Sequence, residues 1–399
     1  MKKIMILGAS ILQLPAIKKA KEMGLEVVVV DMNTEAVGFK EKGIQREEIS
    51  TIDVEKVLEA ARRHKIDGIM TLASDMPMRT VAKVASSLGL VGISEETAMK
   101  ATNKILMREA LAKSKVPIPE FCKVSDENEF YEAIKKLHSK GSRCIVKPAD
   151  NSGSRGVDLI NNYDYSEIMR VYKYSKSYSR SGEVIVEEYM DGPEVSVETL
   201  TIDEECHVIQ ITDKLTTGSP YFVEMGHSQP SCLSEEIQKE ITNVAIEANR
   251  AIGIDNGPSH TEIKVTSNGP KVVEIGARLG GDNITTHLVP LSTGVDMVKS
   301  CIQIALGITP DFQIKQSRAA VIKYIESRKG RILKIDGVEN AKRIEGVCDI
   351  QFSFKTNDAI NEIRSSIDRL GYVIAEGNTI EAALNSCSKA IEELIIEIE

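Results

Sequence analysis

No tryptophan occurs in the 399-residue chain, and aromatic residues make up only 4% of it. Stacking platforms for single-stranded nucleic acid are therefore not expected, because they interleave aromatic rings with basic groups. Cysteines are few and scattered, at positions 122, 144, 206, 232, 301, 348 and 387, with no C-x-x-C. That spacing argues against a zinc cluster or a disulfide framework and fits a reducing compartment. No apolar run reaches the roughly 18 residues that span a bilayer. The start, MKKIMILGASILQL, superficially resembles a secretory leader, but Gly8-Ala9-Ser10 interrupts its apolar run and a second strand-like run follows. A cytoplasmic protein without membrane contact is expected. Basic residues number 50 against 59 acidic ones, for a net charge of −9, and they are interspersed with acids, not gathered in a stripe. Nucleic acid is therefore not an expected partner.

What is present reads as two or three domains, since single domains typically hold ~100–200 residues. Residues 4–7, a small-residue turn at 8–10, a helical stretch at 12–23 and the run 26–30 ending in Asp31 form a strand-helix-strand unit. A second unit follows, with helix 53–64, strand 68–72 and helix 77–88, and then a helix over 95–114. This alternation predicts an α/β segment with a parallel sheet. Gly8 and Asp31 sit where a dinucleotide fold places its turn glycine and ribose acid, but "GASILQ" has one glycine of G-x-G-x-x-G, so a scaffold role is expected there.

Val116-Pro117-Ile118-Pro119 marks a boundary, because two prolines in three residues cannot continue a helix. Beyond it the pattern is α+β. Strands are predicted at 143–147, 156–160, 184–188, 194–202, 206–214, 260–266 and 271–277, with helices near 126–139, 164–176 and 234–252. A third segment begins near 313, with strands at 318–326 and 331–335 and helices at 357–370 and 379–397.

Four stretches carry candidate chemistry. In "CIVKPADNSGSRGVDLI", Lys147 ends a strand and Ser152, Gly153, Ser154 and Gly156 form a small-residue loop whose freed N–H groups can cradle phosphate; the plain alternative is a flexible hairpin. In "EVIVEEYMDGPEVSVETL", the main chain of Glu187, Glu188, Tyr189 and Met190 can meet a purine edge, and Glu194 can accept from ribose hydroxyls; here too a solvated hairpin stays open. The irregular stretch 214–231, "KLTTGSPYFVEMGHSQPS", reads as a substrate loop in which Glu224 can receive an ammonium and His227 can take a proton, with a plain surface loop as the alternative.

The fourth is "SHTEIKVTSNGPKVVEIGARLGGD". A three-residue turn at Ser267-Asn268-Gly269 places Glu262 across from Glu274 and His260 across from Gly276. Like charges opposed on a sheet are destabilising, and a divalent cation between them removes the conflict. Arg278, on the same face, is then an anion clamp beside it. A turn of different length would leave both glutamates merely solvated.

These motifs, in this order over roughly residues 1–310, resemble the ATP-grasp superfamily of carboxylate–amine ligases, and most of all its L-amino-acid ligase branch. The resemblance implies an ATP-grasp fold with an N-terminal parallel-sheet domain (1–115), an ATP-grasp domain (116–312) and a small C-terminal mixed α+β domain (313–399). It implies ATP and Mg²⁺ as cofactors, with Mn²⁺ as an alternative, and small-molecule carboxylate and amine substrates; a homodimer is the expected assembly. It assigns Lys104 and Lys147 to ATP phosphates, the "SGSRGV" loop to a closing flap, residues 187–190 to adenine, Glu194 to ribose, Glu262 and Glu274 to magnesium, and Arg278 to the acyl phosphate. The family usually carries asparagine where this chain has Gly276, and His260 is one candidate to fill that gap. A purine-pathway ligase or formate-activating transferase using a sugar-phosphate amine, and a non-catalytic nucleotide sensor, are the alternatives.

Overall fold

The computed structural model describes residues 1–218 and 221–399. Its N-terminal sheet is parallel, in the order Ile44–Glu47, Glu26–Val30, Lys3–Leu7, Gly68–Thr71. Both faces of the central strand are covered, so Ile4, Met5, Ile6 and Leu7 are all buried, as expected of a parallel strand between helices. Gly8 and Asp31 serve this scaffold. One Asp31 oxygen accepts from the Ala9 amide at 2.7 Å and the other from the Asn33 amide at 2.8 Å, so the carboxylate is spent on the turn.

The helix expected over 95–114 is two helices, Glu95–Thr102 and Lys104–Lys113. Asn103 divides them, because its extended backbone (φ −132°, ψ 114°) ends the first while its side chain accepts from the Ile105 and Leu106 amides to start the second. Lys104 thereby becomes the first helical residue.

Three antiparallel sheets follow; the three-stranded one, Ala359–Ile360, Gly330–Asp336, Ile395–Ile398, belongs to the C-terminal segment, and the other two frame the site. The smaller runs Phe121–Val124, Val184–Glu188, Cys144–Pro148, Asp158–Leu159. The larger has eight strands, in the order Gly269–Gly276, Gly257–Thr266, Glu194–Ile202, Glu205–Thr216, Glu224–Gln229, Ala319–Ile325, Gly371–Gly377, Val347–Phe352. The boundary expected at 312/313 lies in a connection, residues 308–318, without strand or helix, and the large sheet spans it by pairing Glu224–Gln229 with Ala319–Ile325. The helix Met297–Ala305 returns to pack Val298 and Ile302 among Ile4, Ile17 and Val29 of the N-terminal layer. On the other face of that layer, Met5 and Val28 share a core with Val195, Ile263 and Val272 of the large sheet.

Two sequence expectations are corrected here. The stretch 214–231 is not an irregular loop: Glu224–Gln229 is a strand between Glu205–Thr216 and Ala319–Ile325, because long-range pairing overrides its Gly and Ser content. Positions 219 and 220 within it lie outside the described residues. Residues 357–370 form no α-helix but a two-residue strand at Ala359–Ile360 and a 3-10 turn at Ser366–Asp368, leading into Gly371–Gly377. No described helix is long and apolar enough to cross a membrane.

Candidate functional site

The facing glutamates are real, and the backbone reaches them by an unexpected route. Glu262 pairs with Glu274 and His260 with Gly276. The turn, however, holds two residues, since Thr266 pairs with Gly269, whose φ is +93°. Register is recovered by a bulge: Ile263 pairs with Val272 while Glu262 pairs with Glu274, leaving Val273 as the extra residue. Val272 rather than Val273 therefore enters the core, and the Val273 carbonyl accepts from Arg108 at 2.7 Å.

Each glutamate has its own lysine. Lys104 Nζ lies 3.0 Å from Glu274 and donates to the Asn151 carbonyl at 2.7 Å. Lys214 Nζ lies 2.9 Å from Glu262, 2.8 Å from Glu194 and 2.6 Å from Glu224, with its side chain 2% exposed. Burial disfavours this ammonium, but the three carboxylates outweigh that and hold its pKa well above the ordinary lysine range. Glu262 is held well below the carboxylate range: burial opposes ionisation, and Lys214 and then His260 overcome it.

His260 turns away from the gap left by Gly276. Its Nδ1 is hydrogen-bonded to the buried Glu198 and its Nε2 is 3.6 Å from Glu262. Burial works against a charged ring, yet Glu198 outweighs it and raises His260 to about 9. A Cβ at Gly276 would lie 3.1 Å from Asp75 Oδ1 and 3.4 Å from Arg278 Nε. A Cβ at Gly280 would lie 2.7 Å from His260 Nδ1 and 2.8 Å from Glu198 Oε1, so the turn after Arg278 passes directly over this pair. Arg278 donates through Nε to Asp75 Oδ1 at 2.7 Å and through a terminal nitrogen to Oδ2 at 3.3 Å.

On the opposite side, Lys147 Nζ donates to Glu187 Oε2 at 2.7 Å, and Arg108 Nε to Glu187 Oε1 at 2.7 Å. Burial raises the Glu187 pKa, but the two cations more than reverse this and bring it to about 2. Its side chain is therefore a structural anion that aims Lys147. The amides of Glu188 and Tyr189 are bonded to the Glu120 and Arg143 carbonyls, both at 2.8 Å, which narrows the main-chain groups left for a purine toward Met190. Ser152, Gly153, Ser154 and Gly156 lie in a turn in which the last three have positive φ, a conformation that turns successive N–H groups to one side.

Glu224 and His227, expected to meet substrate, join a group not foreseen from sequence. His227, 2% exposed, has no hydrogen-bond partner on either ring nitrogen, and its Nε2 is 3.6 Å from both Glu224 and Asp282. Arg369 clamps Asp282 at 2.6 and 2.8 Å and lies 3.6 Å from the Tyr324 ring centroid. Asp282 is consequently held well below the carboxylate range, burial being overcome by Arg369, whereas burial and Asp282 raise Glu224. Donor atoms of Glu224, His227 and Asp282 lie within 4.8 Å of one another, which suits a cation or an ammonium. Arg278, expected to meet the acyl phosphate, lies against Asp75.

The pattern described as ATP-grasp domain matches residues 140–286, and that of L-amino acid ligase C-terminal domain 2 matches 323–399. An uncharacterized protein, y4rH, of Sinorhizobium fredii is 30% identical over 330 residues, 82% of this chain and 67% of its own. The chain belongs to the ATP-grasp superfamily of ATP-dependent carboxylate–amine ligases. Alanine–anticapsin ligase of Bacillus subtilis is 30% identical over 272 residues, which cover 63% of this chain and 56% of that protein. The crystal structure of an L-amino acid ligase from Bacillus licheniformis superposes with a TM-score of 0.85 at 24% identity, covering 100% of this chain and 99% of that one. The fold is ATP-grasp.

The hard oxygen donors of Glu262 and Glu274, facing each other and balanced by one lysine each, fit the magnesium ion such proteins use. Asp75, Lys214, Asp282 and Arg369 were missed from sequence. Asp75 alone had a signal: it follows the carboxyl end of a parallel strand, where open α/β sheets collect functional residues.

Proposed function

We propose that this ATP-grasp protein activates a small carboxylate as an acyl phosphate and joins it to an amine, releasing ADP and phosphate; an amino acid as carboxylate partner fits best. The observation that carries the reading is Glu262 opposite Glu274 with Arg278 on the same face, next to Lys104 and the glycine-rich loop.

Condensing a carboxylate with an amine is uphill in water, and the carboxylate carbon resists nucleophiles. A carboxylate oxygen attacking the γ-phosphorus, with the bond to ADP breaking, addresses both. Glu262 and Glu274 would hold a magnesium ion, which when bound would neutralise phosphate charge. Lys147, aimed by Glu187, and Lys104 place positive charge along the triphosphate. Glu194 takes the ribose, Met190 the adenine edge, and the Ser152–Gly156 loop closes over the phosphates to exclude water from the acyl phosphate.

The amine enters at Glu224, His227 and Asp282. The carboxylates hold it as an ammonium, and the unpartnered His227 accepts its proton before nitrogen attacks the acyl carbon and phosphate leaves. Arg278 stabilises the oxyanion formed in that attack.

The test is phosphate release and product mass with ATP, magnesium and a panel of single and paired amino acids, with formate and sugar-phosphate amines included. An amide or dipeptide product with ADP supports the reading. Turnover confined to formate or a sugar-phosphate amine moves it to the purine-type reaction, and ATP binding without turnover to a nucleotide sensor.

A further inference from the structure

The loop after the Gly68–Thr71 strand is held from two sides. Gln13, 2% exposed, donates to the Leu72 carbonyl at 2.6 Å and to the Ser74 hydroxyl at 3.2 Å. The Asp75 carbonyl accepts from the Met78 amide at 2.9 Å, in the first turn of the Pro77–Leu88 helix. Asp75 is thereby anchored in the N-terminal layer, yet its carboxylate is spent on Arg278, two residues beyond the Gly269–Gly276 strand of the large sheet. It takes one edge of the guanidinium: Oδ1 accepts from Nε at 2.7 Å and Oδ2 from Nη2 at 3.3 Å. The Leu279 carbonyl accepts from Nη1 at 3.3 Å. A guanidinium carries five N–H donors in a fixed fork; with three engaged in this way, one is left on each terminal nitrogen. Those two are the parallel donors with which arginine grips an oxyanion.

Gly276 admits the contact between Asp75 and Arg278. Its backbone is not in the left-handed region, so conformation does not demand glycine there. Space does: an added Cβ would meet both Asp75 Oδ1 and Arg278 Nε, where the two side chains join.

We propose that Asp75 is a positioning residue for Arg278, holding its Nε edge from the N-terminal layer and so turning the two remaining donors toward the acyl group, with Gly276 as the residue that lets the pair meet. The inference rests on the reading of Arg278 as the group that receives the oxyanion. The N-terminal layer then has a task in the reaction, because it sets the angle of a guanidinium carried by another sheet.

The experiment is calorimetric titration of vanadate, a tetrahedral oxyanion, into the full chain saturated with ADP and magnesium. If Asp75 aims the fork, Asp75→Asn should weaken vanadate binding about tenfold, although it removes a negative charge from beside the anion. If Asp75 only balances charge, the same variant should bind vanadate more tightly; that result, or wild-type affinity, would overturn the proposal. Gly276→Ala keeps both charged groups and forces them apart, so it should give a similar loss. Added to Asp75→Asn it should change little, because the contact it disturbs is already gone; a fully additive double variant would also overturn the proposal. Melting temperature and ADP affinity show that each variant is folded. Failure of the underlying reading looks different: vanadate binding would then be absent from the wild type or unchanged by Arg278→Gln.

Discussion

Glu187 holds the ammonium of Lys147 at 2.7 Å where neither side chain is more than 9% exposed. Arg108 completes the group, so one buried carboxylate serves two cations. Replacing it by glutamine leaves both uncompensated, and Glu187→Gln should lower stability at pH 7 by about 3 kcal/mol. The sign with pH follows from a folded pKa near 2 against the ordinary 4.5. The carboxylate's contribution is whole above about 4.5 and is lost as pH falls toward 2. Urea unfolding at pH 7, 4.5 and 3 should show a steeper acid loss in the wild type than in the variant, which keeps the other depressed carboxylates such as Glu262 and Asp282; parallel pH dependence in both would contradict it.

Lys214 balances three carboxylates assigned to ribose, metal and amine. Lys214→Met keeps the stem and removes the charge, so the melting temperature should fall by several degrees. Magnesium with an ATP analogue should then raise it more than in the wild type, because binding now relieves repulsion that Lys214 relieves before. Equal magnesium-induced shifts, measured by scanning calorimetry, would argue that Lys214 does not influence the metal pair.

Gly280 lies against the His260–Glu198 pair. A methyl group there must displace a buried ion pair or the turn that carries Arg278, so Gly280→Ala should cost about 1–3 kcal/mol. The kcat of any ligation should fall as well, since Arg278 moves with the turn. Stability and kcat both at wild-type values would show that the turn has room to spare.

His227 separates the two half-reactions. With His227→Gln, hydroxylamine trapping of the acyl phosphate should proceed at close to the wild-type rate, while transfer to the natural amine falls about 10²-fold. A matched loss in both assays would place His227 in the activation step instead.

The facing of two glutamates was legible in the hairpin's own alternation. Alternation along His260–Val265 and Val273–Arg278 was enough to set Glu262 against Glu274, although the turn is shorter than expected and a bulge makes up the difference. Lys214 and Asp282 could not be assigned from sequence because their partners lie on strands whose neighbours are fixed only by long-range pairing. Arg369 was hidden for a further reason: its segment, 357–370, has helical spacing but folds as short irregular pieces that bring Arg369 to Asp282. Glu198 could not be assigned to His260 from sequence because only the fold brings the two together.

The bulge at Val273 separates the tip of the hairpin from the chemistry at its base. Pairing between Thr266 and Gly269 at one end and between Glu262 and Glu274 at the other is set by different devices, so Ser267 and Asn268 are released from any duty toward the glutamates. That tip is where the chain can accept an inserted residue, a fluorescent label or a grafted peptide with the carboxylates left in place, and deleting the surplus Val273 would remove the bulge while Glu274 stays across from Glu262.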